Sequence, residues 1–264
     1  FPQLNTLPLY EILDQAIYLP HVVIGLLATI FIGWINYRGV SSAIKLQVAL
    51  TASLAICLIG FVLGGFMNGT VDNLEPLFAE LPGKSPWVGF LSVLVGTPFW
   101  FVGFDTIPQA AEESGSSAIM RRLGLYIIAA IVAAIVFYVA IILASSLATA
   151  WPGLIGEDLP TAKAIESAFQ SNTAARFVLF AGLLGLMTSW NGFFIAGTRV
   201  LFALGRGRII DPQFGDVHPK YGSPTKPIVF VTLLTVPAVF LGKPALIAFL
   251  IVLLPAVGRS ILLS

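Results

Sequence analysis

The residues best suited to do chemistry lie between positions 96 and 106, in a stretch that is otherwise apolar. Gly96-Thr97-Pro98 can interrupt a helix, because proline lacks an N–H donor and clashes with the preceding turn. Gly103 adds a second flexible point, and Thr106-Ile107-Pro108-Gln109 has the spacing of a capping box that restarts a helix. We therefore expect two half-helices with unwound backbone at 98–104. The free carbonyls there would attract a cation, and the start of the second half-helix would attract an anion.

The composition indicates that the elements around these residues lie in a membrane. The chain has 264 residues, of which 57% are hydrophobic and only 10% are charged. Soluble domains carry about 25% charged residues, and a soluble globule with this composition would expose apolar surface that aggregates. A soluble enzyme, a disordered chain and a coiled coil are therefore excluded, and the net charge of +1 does not favour a nucleic-acid partner. The predicted fold class is an all-α, polytopic integral membrane protein.

Apolar runs of about 20 residues predict the membrane-spanning helices. We predict a single transmembrane domain over 1–264 with about seven spans, at 18–37, 46–67, 87–111 (broken near 98–104), 123–148, 177–204, 227–241 and 245–258. If the first span enters from outside, most of the 14 basic residues fall on the inside, as the positive-inside rule requires. The residues then inside are Arg38, Lys45, Arg121, Arg122, Arg199, Arg206, Arg208, Lys220, Lys226 and Arg259. The chain lacks an initiator Met and stops within an apolar run, so we expect an internal piece of a longer protein.

Asp105 is the only acidic residue within any of the predicted spans. An intramembrane carboxylate is a functional candidate by default, and discontinuous helices form midplane substrate sites in secondary transporters. Asp105 could cap and position the second half-helix, or it could act directly on a substrate or a proton. A simple proline kink repaired by neighbouring helices also remains open for the segment as a whole.

Three segments of the chain match the pattern of a known family. The run Phe99-Trp100-Phe101-Val102-Gly103-Phe104-Asp105, followed by Ala111-Glu112-Glu113, resembles the sixth-helix signature of the permeases of the amino acid–polyamine–organocation superfamily. Asn36-Tyr37-Arg38-Gly39-Val40 resembles the end of its fourth helix, and 189–206 with 217–224 resembles its eighth helix and inner loop. The resemblance implies the leucine-transporter fold of two inverted five-helix repeats, with this chain covering helices four to ten. The family's first helix, which receives the substrate carboxylate, has no counterpart in this sequence.

The resemblance also implies a substrate site at the break. The backbone carbonyls near Phe99, Trp100 and Val102 match those that hold the substrate amine in the family, and the Trp100 and Phe101 rings match positions that line or gate the pocket. Gly103 and Asp105 belong to the same candidate site. A cation over an aromatic face gains about 0.5–2 kcal/mol, which suits an ammonium substrate. The alternative for the rings is ordinary packing or contact with lipid.

The coupling ion is not determined by these residues. The adjacent hydroxyls of Thr188 and Ser189 resemble a sodium site of the fold, although hydroxyls in membrane helices more often bond their own backbone or a neighbouring helix. Some proton-coupled members place a lysine in the fifth helix, where this sequence has Ser53-Leu54. Sodium, proton coupling and exchange therefore stay open. Neither a cofactor nor a resident metal is expected.

Charged residues at the inner end of the broken helix suggest a second functional feature. Glu112 and Glu113 lie within reach of Arg121 and Arg122 along the chain, and our hypothesis is an ion-pair latch that opens during transport. The alternative is a solvated loop, because exposed ion pairs contribute only about 0–1 kcal/mol.

The function predicted from the sequence is secondary active transport of an amino acid, polyamine or related amine by alternating access. The expected partners are that substrate, a coupling H⁺ or Na⁺ and the lipid bilayer. The expected location is the plasma membrane, which is the inner membrane in a bacterium. A nutrient sensor on a transporter fold is the main alternative. An intramembrane enzyme is disfavoured, because the spans contain neither a second Asp nor an H-E-x-x-H motif.

Overall fold

The chain is predominantly α-helical, as its composition predicts. The computed structural model describes residues 4–12, 15–76, 85–101, 103, 106–111, 121–155, 157 and 159–242. The helices are α1 (Leu19–Tyr37), α2 (Val40–Asn68), α3 (Pro86–Trp100), α4 (Thr106–Ala111), α5 (Leu123–Ala148), α6 (Pro160–Phe169), α7 (Asn172–Arg206) and α8 (Thr225–Gly242). The all-α polytopic class is confirmed. A small antiparallel hairpin of β1 (Pro8–Ile12) and β2 (Gln15–Tyr18), which the sequence did not lead us to expect, precedes α1.

Five helices in the described part of the chain are long and apolar enough to cross a membrane, namely α1, α2, α5, α7 and α8. In α5, only 6% of the most apolar 18-residue stretch is buried within the protein. Such exposed apolar side chains suit contact with lipid rather than with water. Helix α3 has 15 residues, fewer than a full crossing needs. The predicted span at 245–258 lies outside the described residues, so the number of crossings stays a prediction.

The chain divides into two compact units, of residues 1–43 with 197–264 and of residues 44–196. In the first unit, α1 packs antiparallel against α8, and glycines permit the close approach. A Cβ atom on Gly25 would come within 2.6 Å of Val239 Cγ1, and one on Gly33 within 2.6 Å of Thr232 Oγ1. Glycine therefore sets the distance between these two helices.

The second unit has its core where α2, α5 and α6 meet. Phe61, Ala144, Ala148, Ala164 and Ile165 form the buried cluster. Small residues again set the spacing: a Cβ atom on Gly65 of α2 would lie 2.7 Å from the carbonyl oxygen of Ala144. Hydrogen bonds to backbone carbonyls tie the connecting segments to this core, from Asn73 Nδ2 to Leu147 O at 2.6 Å and from Thr149 Oγ1 to Ala164 O at 3.2 Å. This packed unit contains the interrupted helix.

Candidate functional site

The interruption between α3 and α4 begins later than the sequence pattern indicates. Helix α3 continues through Pro98 and ends at Trp100, whereas we expected unwinding from Pro98. A proline removes one N–H donor, but its own φ is compatible with a helix, so the helix persists for the two residues that follow. Phe101 and Gly103 are in turn conformation, and Gly103 has a φ of +123°, a value that side-chain-bearing residues rarely adopt. Backbone geometry at Gly103 is therefore the local feature that separates the two helices.

Thr106 starts α4 and ties it back to the turn. Its backbone N–H and its Oγ1 both donate to the carbonyl oxygen of Gly103, at 3.1 and 2.7 Å. The hydroxyl is thus a donor to the preceding turn, which differs from the capping-box role in which it would accept a bond from the helix. One carbonyl of the break is thereby occupied by the protein itself.

Helix α5 packs against the interruption between α3 and α4. The Phe101 ring lies 5.4 Å from the Tyr138 ring, centroid to centroid, at an interplanar angle of 59°, and both side chains are half-buried. Helix α4 packs against the same helix. Such tilted aromatic pairs contribute about 0.5–1.5 kcal/mol beyond the area they bury. The ring predicted to line or gate a pocket is therefore supported by a tyrosine that the sequence analysis did not select. Its only signal in the sequence is a hydroxyl-bearing ring deep in an apolar helix.

Several predicted site residues lie outside the part of the chain that the structure describes. Val102 and Asp105 lie outside the described residues, as do the side chains of Phe99 and Trp100. Their assignment to a substrate site stays a prediction. Within the described residues, the site therefore consists of Phe101, Gly103 and the helices on either side of them.

The proposed latch is described on one side only. Glu112 and Glu113 lie outside the described residues, whereas Arg121 and Arg122 precede α5 with exposed side chains. The ion pairs between these two groups remain a hypothesis.

The two hydroxyls suggested for a sodium site lie near the middle of α7. Thr188 Oγ1 donates to the carbonyl oxygen of Leu184 at 2.8 Å, one turn earlier in the same helix, and the Ser189 side chain is exposed. This is the backbone-bonded geometry common for hydroxyls in membrane helices. The bond uses the hydroxyl hydrogen and leaves the lone pairs of Thr188 Oγ1 free to accept.

A pair of amide side chains joins α7 to α2 one turn further along. Asn191 Nδ2 donates to Gln47 Oε1 at 2.8 Å, and the Asn191 side chain is 0% exposed. Asn191 belongs to the Ser189-Trp190-Asn191 segment that resembles the permease family, but the sequence analysis gave it no role. The feature of the sequence that could have identified Asn191 is its amide within a long apolar run, because such a group needs a hydrogen-bond partner wherever lipid or protein excludes water.

The fold and the interrupted helix define an integral membrane protein of the all-α polytopic class. The profile of the family described as amino acid permease matches residues 9–258. The chain belongs to that family, within the amino acid–polyamine–organocation superfamily, which confirms the resemblance. The names of the family and of the relatives indicate a transporter rather than an enzyme.

Three similar proteins illustrate the relationship. An uncharacterized transporter of Rhizobium meliloti is 28% identical, with 83% of this chain and 46% of the relative aligned. A branched-chain amino acid permease of Lactococcus lactis is 25% identical over 89% of this chain and 50% of its own length. A chloroplastic cationic amino acid transporter of Arabidopsis thaliana is 25% identical over 82% and 37%. The chain thus spans about half the length, or less, of the curated relatives it matches.

Proposed function

We propose that the whole protein is a secondary transporter for amino acids or related amines that works by alternating access. The observation that supports this most directly is the interruption between α3 and α4 at Phe101 and Gly103, within a chain of the amino acid permease family. Irregular backbone at membrane depth is tolerated only where it faces protein or a water-filled cavity. In secondary transporters such breaks form the substrate site.

In this proposal the substrate amine binds at the carbonyls near Phe99, Trp100 and Val102, and the Phe101 ring covers it. An ammonium group over an aromatic face within about 6 Å is attracted by the ring quadrupole. The contact with Tyr138 would hold the Phe101 ring in the orientation that the substrate meets. The names of the relatives favour amino acids as the substrate class, because one is a permease for branched-chain and another a transporter for cationic amino acids.

We propose proton coupling or substrate exchange in preference to sodium coupling. Thr188 shows the backbone-directed bond that hydroxyls in membrane helices commonly make, and the neighbouring Ser189 side chain is exposed. A sodium site needs several oxygen ligands that converge on one point. An exposed Ser189 hydroxyl does not supply a buried ligand beside Thr188.

The test is uptake by the full-length protein in proteoliposomes, with a panel of labelled amino acids and amines and with sodium and pH gradients imposed separately. Saturable uptake that Phe101→Ala abolishes would support the carrier and its site. Phe180→Ala is the matched control, because this ring is exposed on α7. It should leave uptake unchanged.

Binding without flux would favour the second candidate, a nutrient sensor on a transporter fold. Binding that resists Phe101→Ala would instead move the site away from the break. Folded protein with neither binding nor flux would contradict both candidates.

A further inference from the structure

A loop is fixed to the C-terminal end of α1 within the first unit. Ser223 is fully buried, and its Oγ donates to the carbonyl oxygen of Tyr37 at 2.7 Å. The Tyr37 ring lies edge-on to the His218 ring, with 5.4 Å between the ring centroids, and the backbone N–H of His218 donates to the carbonyl oxygen of Ser223 at 2.8 Å. The segment 218–223 therefore packs as an ordered turn on the end of this helix.

The turn brings two cations to one aromatic ring. The Arg38 guanidinium lies 6.0 Å from the centre of the Tyr221 ring and 5.2 Å from that of Trp34. The Lys220 ammonium lies 5.4 Å from the Tyr221 ring. Contacts of this kind orient a cation but do not neutralise it. Among the described residues the one ion pair joins Lys163 to Glu166, so in that part of the chain no carboxylate within 4 Å offsets either charge.

An exposed apolar face of α1 leads directly to these cations. Val23, Leu27, Ile30 and Trp34 are all exposed and follow one another at helical spacing, and Arg38 continues the same series. Residues three and four apart share one face of a helix. An indole ring between an apolar track and a guanidinium is the arrangement found where a helix leaves the hydrocarbon for the headgroup region.

We propose that this surface is a binding site for an anionic phospholipid. The acyl chain lies along the Val23–Trp34 face, and the headgroup phosphate is attracted to Arg38 and Lys220. The positive-inside prediction puts this end of α1 on the cytoplasmic side, where anionic lipids create a negative surface potential. Charge complementarity and the adjoining apolar track together favour a lipid over a free anion. The proposal does not depend on the transport function.

The experiment uses the full-length protein reconstituted in vesicles that contain either brominated phosphatidylglycerol or brominated phosphatidylcholine at the same mole fraction. Bromine quenches only nearby tryptophan fluorescence, so the difference between wild type and Trp34→Phe isolates the signal at this site. We expect stronger Trp34-dependent quenching by the anionic lipid. Each cation near an anionic headgroup favours it by about fivefold, so Arg38→Gln with Lys220→Gln should reduce the preference by about 25-fold.

The matched control is Arg208→Gln with Lys226→Gln. It removes the same charge from exposed residues of the same unit and should keep the preference. An equal loss in both double variants would overturn the site in favour of a general electrostatic attraction. Equal quenching by the two lipids would overturn headgroup selection. Absence of Trp34-dependent quenching by either lipid would show that protein covers this face. Displacement by millimolar glycerol phosphate would mean that the site takes a free anion instead.

Discussion

Replacing Asn191 and Gln47 with alanine, singly and together, should show that their hydrogen bond couples α7 to α2. The two side chains are 144 positions apart in the chain and meet at 2.8 Å. The amide of Gln47 also lies close to the next residue of α7, because a Cβ atom on Gly192 would be 3.9 Å from Gln47 Nε2. The Gln47 amide therefore lies beside two consecutive residues of α7, at the point where Asn191 is fully buried.

The expected coupling follows from burial and geometry. Interhelical hydrogen bonds in membrane proteins average about 0.6 kcal/mol in double-mutant cycles and reach about 1.7 kcal/mol. The Asn191–Gln47 bond should lie above this average, because its length is ideal and Asn191 is 0% exposed. A buried polar group that loses its partner costs about 1–3 kcal/mol. We therefore expect a coupling free energy of about 1 kcal/mol, with each single variant less stable than the wild type.

The assay is reversible unfolding of the full-length protein in mixed micelles with increasing dodecyl sulfate, followed by helical content. The control cycle pairs Gln47→Ala with Thr188→Ala. Thr188 lies one turn from Asn191, but its hydroxyl donates to Leu184 within its own helix. That cycle should be additive to within about 0.3–0.5 kcal/mol, as independent sites are. Additivity in the Asn191 cycle as well would refute the inference that this hydrogen bond joins the helices.

Two further perturbations test the helix packing and the proposed coupling mode. Gly33→Ala should destabilise the protein by about 1–3 kcal/mol, because the new Cβ would lie 2.6 Å from Thr232 Oγ1, and Thr232→Ala should restore part of the loss. The control is Gly182→Ala, where the new Cβ has open space around it and should stabilise α7 by about 0.5–1 kcal/mol. Similar unfolding curves for Gly33→Ala and Gly182→Ala would contradict the close packing of α1 against α8. Thr188→Ala with Ser189→Ala should retain uptake in proteoliposomes and leave it insensitive to replacement of sodium by choline. If wild-type uptake requires sodium and the double variant loses that uptake, the two hydroxyls belong to a sodium site.

Local sequence rules predict that the helix is interrupted, but they do not predict at which residue. Gly96, Pro98 and Gly103 correctly indicate that the helix is interrupted, because each weakens helical backbone. They do not determine which of them ends it. The helix continues through Pro98, and the left-handed conformation occurs at Gly103. The choice depends on the surroundings, where Thr106 bonds back to Gly103 and α5 packs behind Phe101.

The sequence alone determined the membrane class and the family, because long apolar runs and motifs are local properties that need no knowledge of contacts. The tertiary structure decided which polar and aromatic side chains meet. Phe101 with Tyr138, Asn191 with Gln47 and Ser223 with Tyr37 are each pairs from separate segments. Helical spacing fixes the face on which a residue lies, but only packing fixes its partner. A hydroxyl such as that of Thr188 can donate to its own helix or to another helix, and only the packed arrangement shows which acceptor it finds.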